Sequence, residues 1–178
     1  LHNRRLVWAA AGTALIVVAN LVITFRANRF GIKASDQFYY AGIARNMARG
    51  DGFQSQVLGM TRPMVACQHG VKIEANTPFP VYKCRGGWPL LLAGVFALFG
   101  STEVVYQSLN VLFYIGILVL VWLVGDHFGS PVAGLVAVLM VSLNYMVFAE
   151  CFYSGKQLPM CFFVVGGTVV ALRGRSAV

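Results

Sequence analysis

The sequence predicts an all-α integral membrane protein with about four transmembrane helices and two juxtamembrane helices set in one long polar loop. Three observations carry this. Of 178 residues, 58% are apolar and 11% charged, where a soluble domain carries about a quarter charged residues. A water-facing surface cannot be assembled from that supply. Apolar runs near the roughly 20 residues that cross hydrocarbon recur along the chain. By contrast, Arg26 to Gly87 is mixed and polar, with Pro63, Pro78, Pro80 and several glycines, the composition of a loop outside the bilayer. The net charge of +8 would raise nucleic acid in a soluble protein. Here the 14 Lys and Arg sit between and beside apolar runs, so anionic headgroups of the lipid bilayer or a phosphate-bearing substrate are the expected counter-charges. No recognition-helix pattern or aromatic-and-basic platform is present, which sets nucleic acid aside.

Residues 1–25 hold the first span, Leu6 to Phe25, with Arg4 and Arg5 before it and Arg26 and Arg29 after it. A basic start and an apolar run also describe a secretory signal. The run is too long for one and lacks a small-x-small cleavage site, so a retained anchor is the expectation. The chain opens on Leu1 rather than Met and closes at Val178 just after a basic pair, so the expectation is a processed or incomplete piece of a longer chain.

Residues 26–103 form the loop. Ser35 or Asp36 caps a helix over 36–49 that runs to a Gly50-Asp51-Gly52 stop. At 100° per residue Tyr39, Tyr40, Ile43, Ala44 and Met47 share one face and Arg45 and Arg49 the other, the pattern of a helix lying on a membrane surface. Asp36 falls in the centre of the apolar arc, an unusual aim for a carboxylate. Trp88 to Phe99 is apolar, but at 1.5 Å per residue it is too short to cross, so it reads as a second interfacial or half-buried helix. Gly100, Ser101 and Thr102 then supply a break and a cap.

Residues 104–172 hold three spans: Val104 to Val124, then Val132 to Ala149 after a tight Asp126-to-Pro131 connection, then Leu158 to Leu172 after a polar break from Glu150 to Gln157. Residues 173–178 are a basic end carrying Arg173 and Arg175. Four crossings place both termini on one side and the loop on the other. The basic residues from Arg26 to Arg85, with Lys156, lie on the loop side, which the positive-inside tendency would put in the cytoplasm. A loop this long escapes that rule, so charge alone leaves the orientation open.

The run Asp36-Gln37-Phe38-Tyr39-Tyr40-Ala41-Gly42-Ile43-Ala44-Arg45-Asn46-Met47, with Gly50-Asp51-Gly52-Phe53 after it, carries a resemblance. So do Gly87-Trp88-Pro89-Leu90-Leu91-Leu92-Ala93, Leu98-Phe99-Gly100 and Leu109-Asn110. In this order they resemble the first outer loop of the polyprenyl-phosphate-dependent membrane glycosyltransferases of the GT-C class, the protein O-mannosyltransferase and aminoarabinose transferase type. The likeness covers roughly residues 6 to 172. It implies cytoplasmic termini in a cell (inner) membrane, an extracytoplasmic loop with two juxtamembrane helices, and a sugar donor carried on a polyprenyl phosphate. It makes Asp36 the candidate catalytic base that takes the acceptor's proton, or a ligand of a candidate divalent cation. Lys83 and Arg85 become candidates for holding the departing phosphate. Each has a plainer reading: Asp36 as an N-cap, Lys83 and Arg85 as contacts to lipid phosphate.

The chain also departs from the family. Where members carry a Thr-Glu-Pro-like motif, this sequence reads Ser154-Gly155-Lys156-Gln157-Leu158-Pro159, leaving Glu150 as the candidate second acid. Members have many more spans, and they carry a lysine or glutamate with paired prolines where Arg85-Gly86-Gly87-Trp88-Pro89 stands. The alternative is therefore a non-catalytic accessory subunit that kept the scaffold and packs with other membrane subunits. In an extracytoplasmic loop Cys67 and Cys84 are a candidate disulfide, contributing roughly 3 kcal/mol. Cys67, His69 and Cys84 make a poor zinc set. Cys151 and Cys161 read as small packing residues. Gly12, Gly134, Gly166 and Gly167 read as points of close helix approach. Tyr106, Gln107, Ser108 and Asn110 open a span with polar groups, which either bond within the bundle or line a substrate groove.

Overall fold

The computed structural model describes residues 7, 10–19, 21–22, 35–55, 79–80, 86–128, 130–144, 147 and 156–175, and of Ser35, Asp36, Ser55, Phe79, Pro80 and Arg175 it describes the backbone. Among the described residues the fold is all-α apart from one short strand pairing. The helices are α1 (Ala10–Ala19), α2 (Ser35–Arg49), α3 (Gly87–Phe99), α4 (Glu103–Phe128), α5 (Pro131–Leu143) and α6 (Gln157–Arg175); the strands are β1 (Gln54–Ser55) and β2 (Phe79–Pro80). The chain divides into two compact units, Ile32–Tyr106 and a second made of Leu1–Gly31 with Gln107–Val178.

In the first unit α2 packs against α3. Of the arc of α2 that the sequence marks as apolar, Tyr40, Ile43 and Ala44 are buried and Tyr39 and Met47 half-buried; Gln37, Ala41 and Asn46 beside it are also buried, while Arg45 and Arg49 are exposed. That arc is covered by protein rather than left open for a membrane surface. Helix α3 answers with Trp88, Pro89, Leu92, Ala93 and Phe96, a stripe at three- and four-residue spacing. Pro89 is tolerated because it sits in the first turn, where its missing N–H has no partner to lose. Helix α2 ends in a Schellman motif. The N–H of Gly50 donates to Met47 O at 3.1 Å and that of Asp51 to Asn46 O at 2.9 Å, with Gly50 at φ +87°, a region closed to most side chains. The Asn46 amide then donates to Gln54 O at 3.0 Å, holding the exit strand β1, which pairs antiparallel with β2.

Helix α3 stops at Gly100, φ +86°, and Thr102 caps α4 by accepting the Val105 N–H at 3.3 Å. Helix α4 has 26 residues. It runs past Val124 through Asp126, His127 and Phe128, residues the sequence assigns to a connection, because neither Asp126 nor His127 breaks a helix that is already formed.

In the second unit α5 begins with Ser130 accepting the Ala133 N–H at 3.3 Å and Pro131 in the first turn. It stops at Leu143, so Val132 to Ala149 is not one helix. Asn144 turns extended, φ −74° and ψ 109°, and its side chain accepts the Val147 N–H at 3.4 Å. An asparagine able to cap a new turn competes with continuing the old one. Helix α6 is longer than Leu158 to Leu172, starting at Gln157 and running to Arg175.

Gly125 of α4 and Gly134 of α5 meet so closely that a Cβ on Gly125 would lie 2.6 Å from Gly134 Cα. A Cβ on Gly134 would lie 2.6 Å from Trp122 Cδ1. Against α6, Phe113 stacks edge-on to Phe162 at 5.3 Å, Gly116 makes room for the Phe162 ring, and Leu120 meets Gly166. Contacts at 113–162 and 120–166 ascend together, so α4 and α6 run parallel. Of the glycines expected at close approaches, Gly134 is one and Gly166 makes ordinary contact. Gly12 and Gly167 face open space.

Two of the described helices, α4 and α6, are long and apolar enough to cross a membrane, with mean hydropathy of 2.2 and 1.4 over their most apolar stretch. Only 22% and 17% of those stretches is buried, so Leu112, Ile115, Val119, Phe163, Val164 and Val170 lie exposed. Helices α1, α3 and α5 are apolar but shorter. Cys161 is a free thiol and exposed on α6 rather than packed inside.

Candidate functional site

Within the first unit, α2, the end of α3 and the start of α4 enclose a cleft of about 230 Å³. Helix α2 supplies Phe38, Ala41, Gly42, Arg45 and Arg49, one stripe at helical spacing, together with Asn46. Helix α3 supplies Phe96, the turn supplies Ser101 and Thr102, and α4 supplies Glu103 and Tyr106. The floor is apolar and fixed: Phe96 is 5% exposed and Tyr106 0%, and Tyr106 is braced edge-on by Trp88 at 6.2 Å. Phe38 stands at the mouth, 47% exposed.

The polar groups divide by duty. Asn46 is committed to Gln54 O and the Thr102 hydroxyl to capping α4. Arg45 lines the cleft and makes one long contact from Nη2 to Ser101 O, 3.5 Å. Among the described residues neither Arg45 nor Arg49 forms an ion pair with Glu103. The cleft therefore offers two guanidinium forks, suited to phosphate or carboxylate, one carboxylate, and an aromatic floor.

The residues singled out from sequence are placed differently. Asp36 is described by its backbone, in the first turn of α2. Its register is that of Tyr40 and Ile43, about half a turn away from the Phe38, Arg45 and Arg49 stripe. Lys83, Arg85, Glu150, Cys67, His69 and Cys84 lie outside the described residues. Among the described residues no group of three or more His, Cys, Asp or Glu comes together to hold a metal ion. Of the polar residues opening α4, Tyr106 lines the cleft, Gln107 and Asn110 are buried, and Ser108 is exposed.

Arg45, Arg49 and Glu103 were not marked as site residues in the sequence. The signal available was the four-residue spacing of the two arginines on the polar face of α2, which by itself describes any solvated helix face. Joining them to Glu103, more than fifty positions on, required the α2–α3 packing. Comparison of the chain with family models, with curated proteins and with solved structures finds no match.

Proposed function

We propose that the chain is a multi-pass membrane glycosyltransferase, or the N-terminal portion of one, that transfers a sugar from a polyprenyl-phosphate donor to an extracytoplasmic acceptor. The observation that carries the reading is the α2–α3 pair: the helix opened by Asp36 packs on the Trp88-Pro89 helix, immediately before the long apolar α4. This is the order of elements in the family that the sequence resembles. The membrane part of the reading is supported by the apolar residues that α4 and α6 leave exposed. In water such faces would be covered, whereas in hydrocarbon they are solvated. Four crossings, with cytoplasmic termini and the α2–α3 unit outside, follow from the same reading.

Transfer requires a base for the acceptor hydroxyl and stabilisation of the anionic leaving group. Asp36 takes the first role, while Lys83 and Arg85, shortly before α3, take the second. Lipid-linked sugar transfer by membranes holding equal amounts of wild type and Asp36→Asn tests this. Asparagine keeps the capping capacity but not the basicity, and the expected loss is about 10²- to 10⁴-fold in rate. Undiminished transfer reduces Asp36 to a cap.

A second reading, an accessory subunit with a degenerate scaffold, is favoured by Lys156 and Gln157. Both are exposed and stand where the family has an acid. Absence of transfer from wild type, with co-purification in a larger membrane assembly, would put that reading first.

A further inference from the structure

We propose that the cleft between α2, α3 and α4 binds the headgroup of a zwitterionic phosphoethanolamine lipid, with Arg45 and Arg49 on the phosphate and Glu103 on the ammonium. The inference rests on the membrane reading above but not on glycosyl transfer, since the cleft stripe lies about half a turn from Asp36 on α2.

Charge arrangement is the first ground. Two guanidiniums and one carboxylate line a single small cleft without pairing to one another among the described residues. A ligand carrying only an anion would face the Glu103 carboxylate, and one carrying only a cation would face two arginines. A phosphate and an ammonium joined by a short linker satisfy both, each in a charge-assisted hydrogen bond. A primary ammonium keeps three donors for the carboxylate, whereas the trimethylated head of a choline lipid has none.

Surroundings are the second ground. Leu98 and Phe99, which directly precede Gly100 and Ser101, are 79% and 71% exposed, and Val104, next to Glu103, is 55% exposed. Exposed apolar residues therefore stand next in the chain to the residues that line the cleft, a neighbourhood suited to acyl chains beside a bound headgroup. The floor of the site is fixed, since Phe96 and Tyr106 are buried and Trp88 packs edge-on to Tyr106.

The test is native mass spectrometry of the detergent-purified protein with phosphatidylethanolamine, phosphatidylglycerol and phosphatidylcholine, for wild type, Arg49→Gln and Glu103→Gln. Both substituted residues are exposed, and circular dichroism checks that the variants stay folded. Wild type should retain the ethanolamine lipid in preference to the other two. Arg49→Gln should weaken phosphatidylethanolamine and phosphatidylglycerol alike, about tenfold. Glu103→Gln should abolish the preference for ethanolamine over glycerol while leaving phosphatidylglycerol binding in place. Soluble glycerophosphoethanolamine should displace the lipid, because the cleft reads the headgroup. Equal retention of all three lipids, a preference unchanged in Glu103→Gln, or lipid that soluble headgroup cannot displace would each overturn the proposal. Carbonate extraction of native membranes is run alongside: release of the protein would sink the membrane reading itself, whereas firm retention without headgroup selectivity sinks this site alone. The Asp36→Asn transfer assay is independent of both.

Discussion

Gly134 and Gly167 are both glycines in apolar helices, yet their neighbourhoods make opposite demands. At Gly134 an added methyl would sit 2.6 Å from Trp122 Cδ1 and 2.8 Å from the Trp122 carbonyl oxygen, and neither helix can yield without opening the crossing. Gly134→Ala is expected to cost about 1–3 kcal/mol, the range for overpacking a close-packed site. Gly167 has nothing within 4 Å, so Gly167→Ala should be neutral or stabilising by up to about 1 kcal/mol, since alanine is the better helix former. Thermal unfolding in detergent, followed by size-exclusion of the heated samples, checks both. A Gly134→Ala protein as heat-resistant as wild type would show that the Gly125–Gly134 approach is looser than these distances. Cys161 adds a warning at the same scale: small and apolar in sequence, it is exposed in the fold.

Helix ends follow local chemistry that can be tested one residue at a time. The termination of α2 depends on Gly50 holding φ +87°, where a Cβ is strained even though nothing lies within 4 Å of it. Gly50→Ala should cost roughly 1 kcal/mol and loosen the bond from the Asp51 N–H to Asn46 O, 2.9 Å in the native chain. Amide exchange at Asp51 should then quicken about fivefold; unchanged exchange would mean that the motif does not govern the stop. Helices α4 and α5 start on side-chain caps from Thr102 and Ser130, and both lie where a Ser or Thr meets the beginning of an apolar run. The premature end of α5 has the same origin in reverse, because Asn144 offers its side chain to the next turn.

For the molecule as a whole, the decisive property is where the apolar surface goes. In α4 and α6 it is mostly on the outside, which water would penalise at roughly 25 cal/mol per Å². The topology proposed above, with the α2–α3 unit outside the cytoplasm and both termini inside, is open to a direct test. Impermeant thiol labelling of intact cells should modify a single-cysteine variant at Gln54→Cys and spare one at Ser176→Cys. Labelling of the second alone would invert the topology and remove the main consequence of the family resemblance.

Helical class, the apolar arc of α2, the short α3 and the Gly100-to-Thr102 break were all legible in the chain. Each depends on periodicity, length or turn chemistry acting within a few residues. Helix ends were read less well at Val124 and Ala149, where a continuing apolar run hides whether the next polar residue extends a helix or caps another. The cleft was not legible at all. Arg45 and Arg49 gain meaning only beside Glu103, Phe96 and Tyr106, and no local rule relates residues so far apart in the chain. The sequence by itself determined which residues must leave water; tertiary packing decided that α3, rather than lipid, covers α2, and so brought two arginines and a glutamate to one small opening.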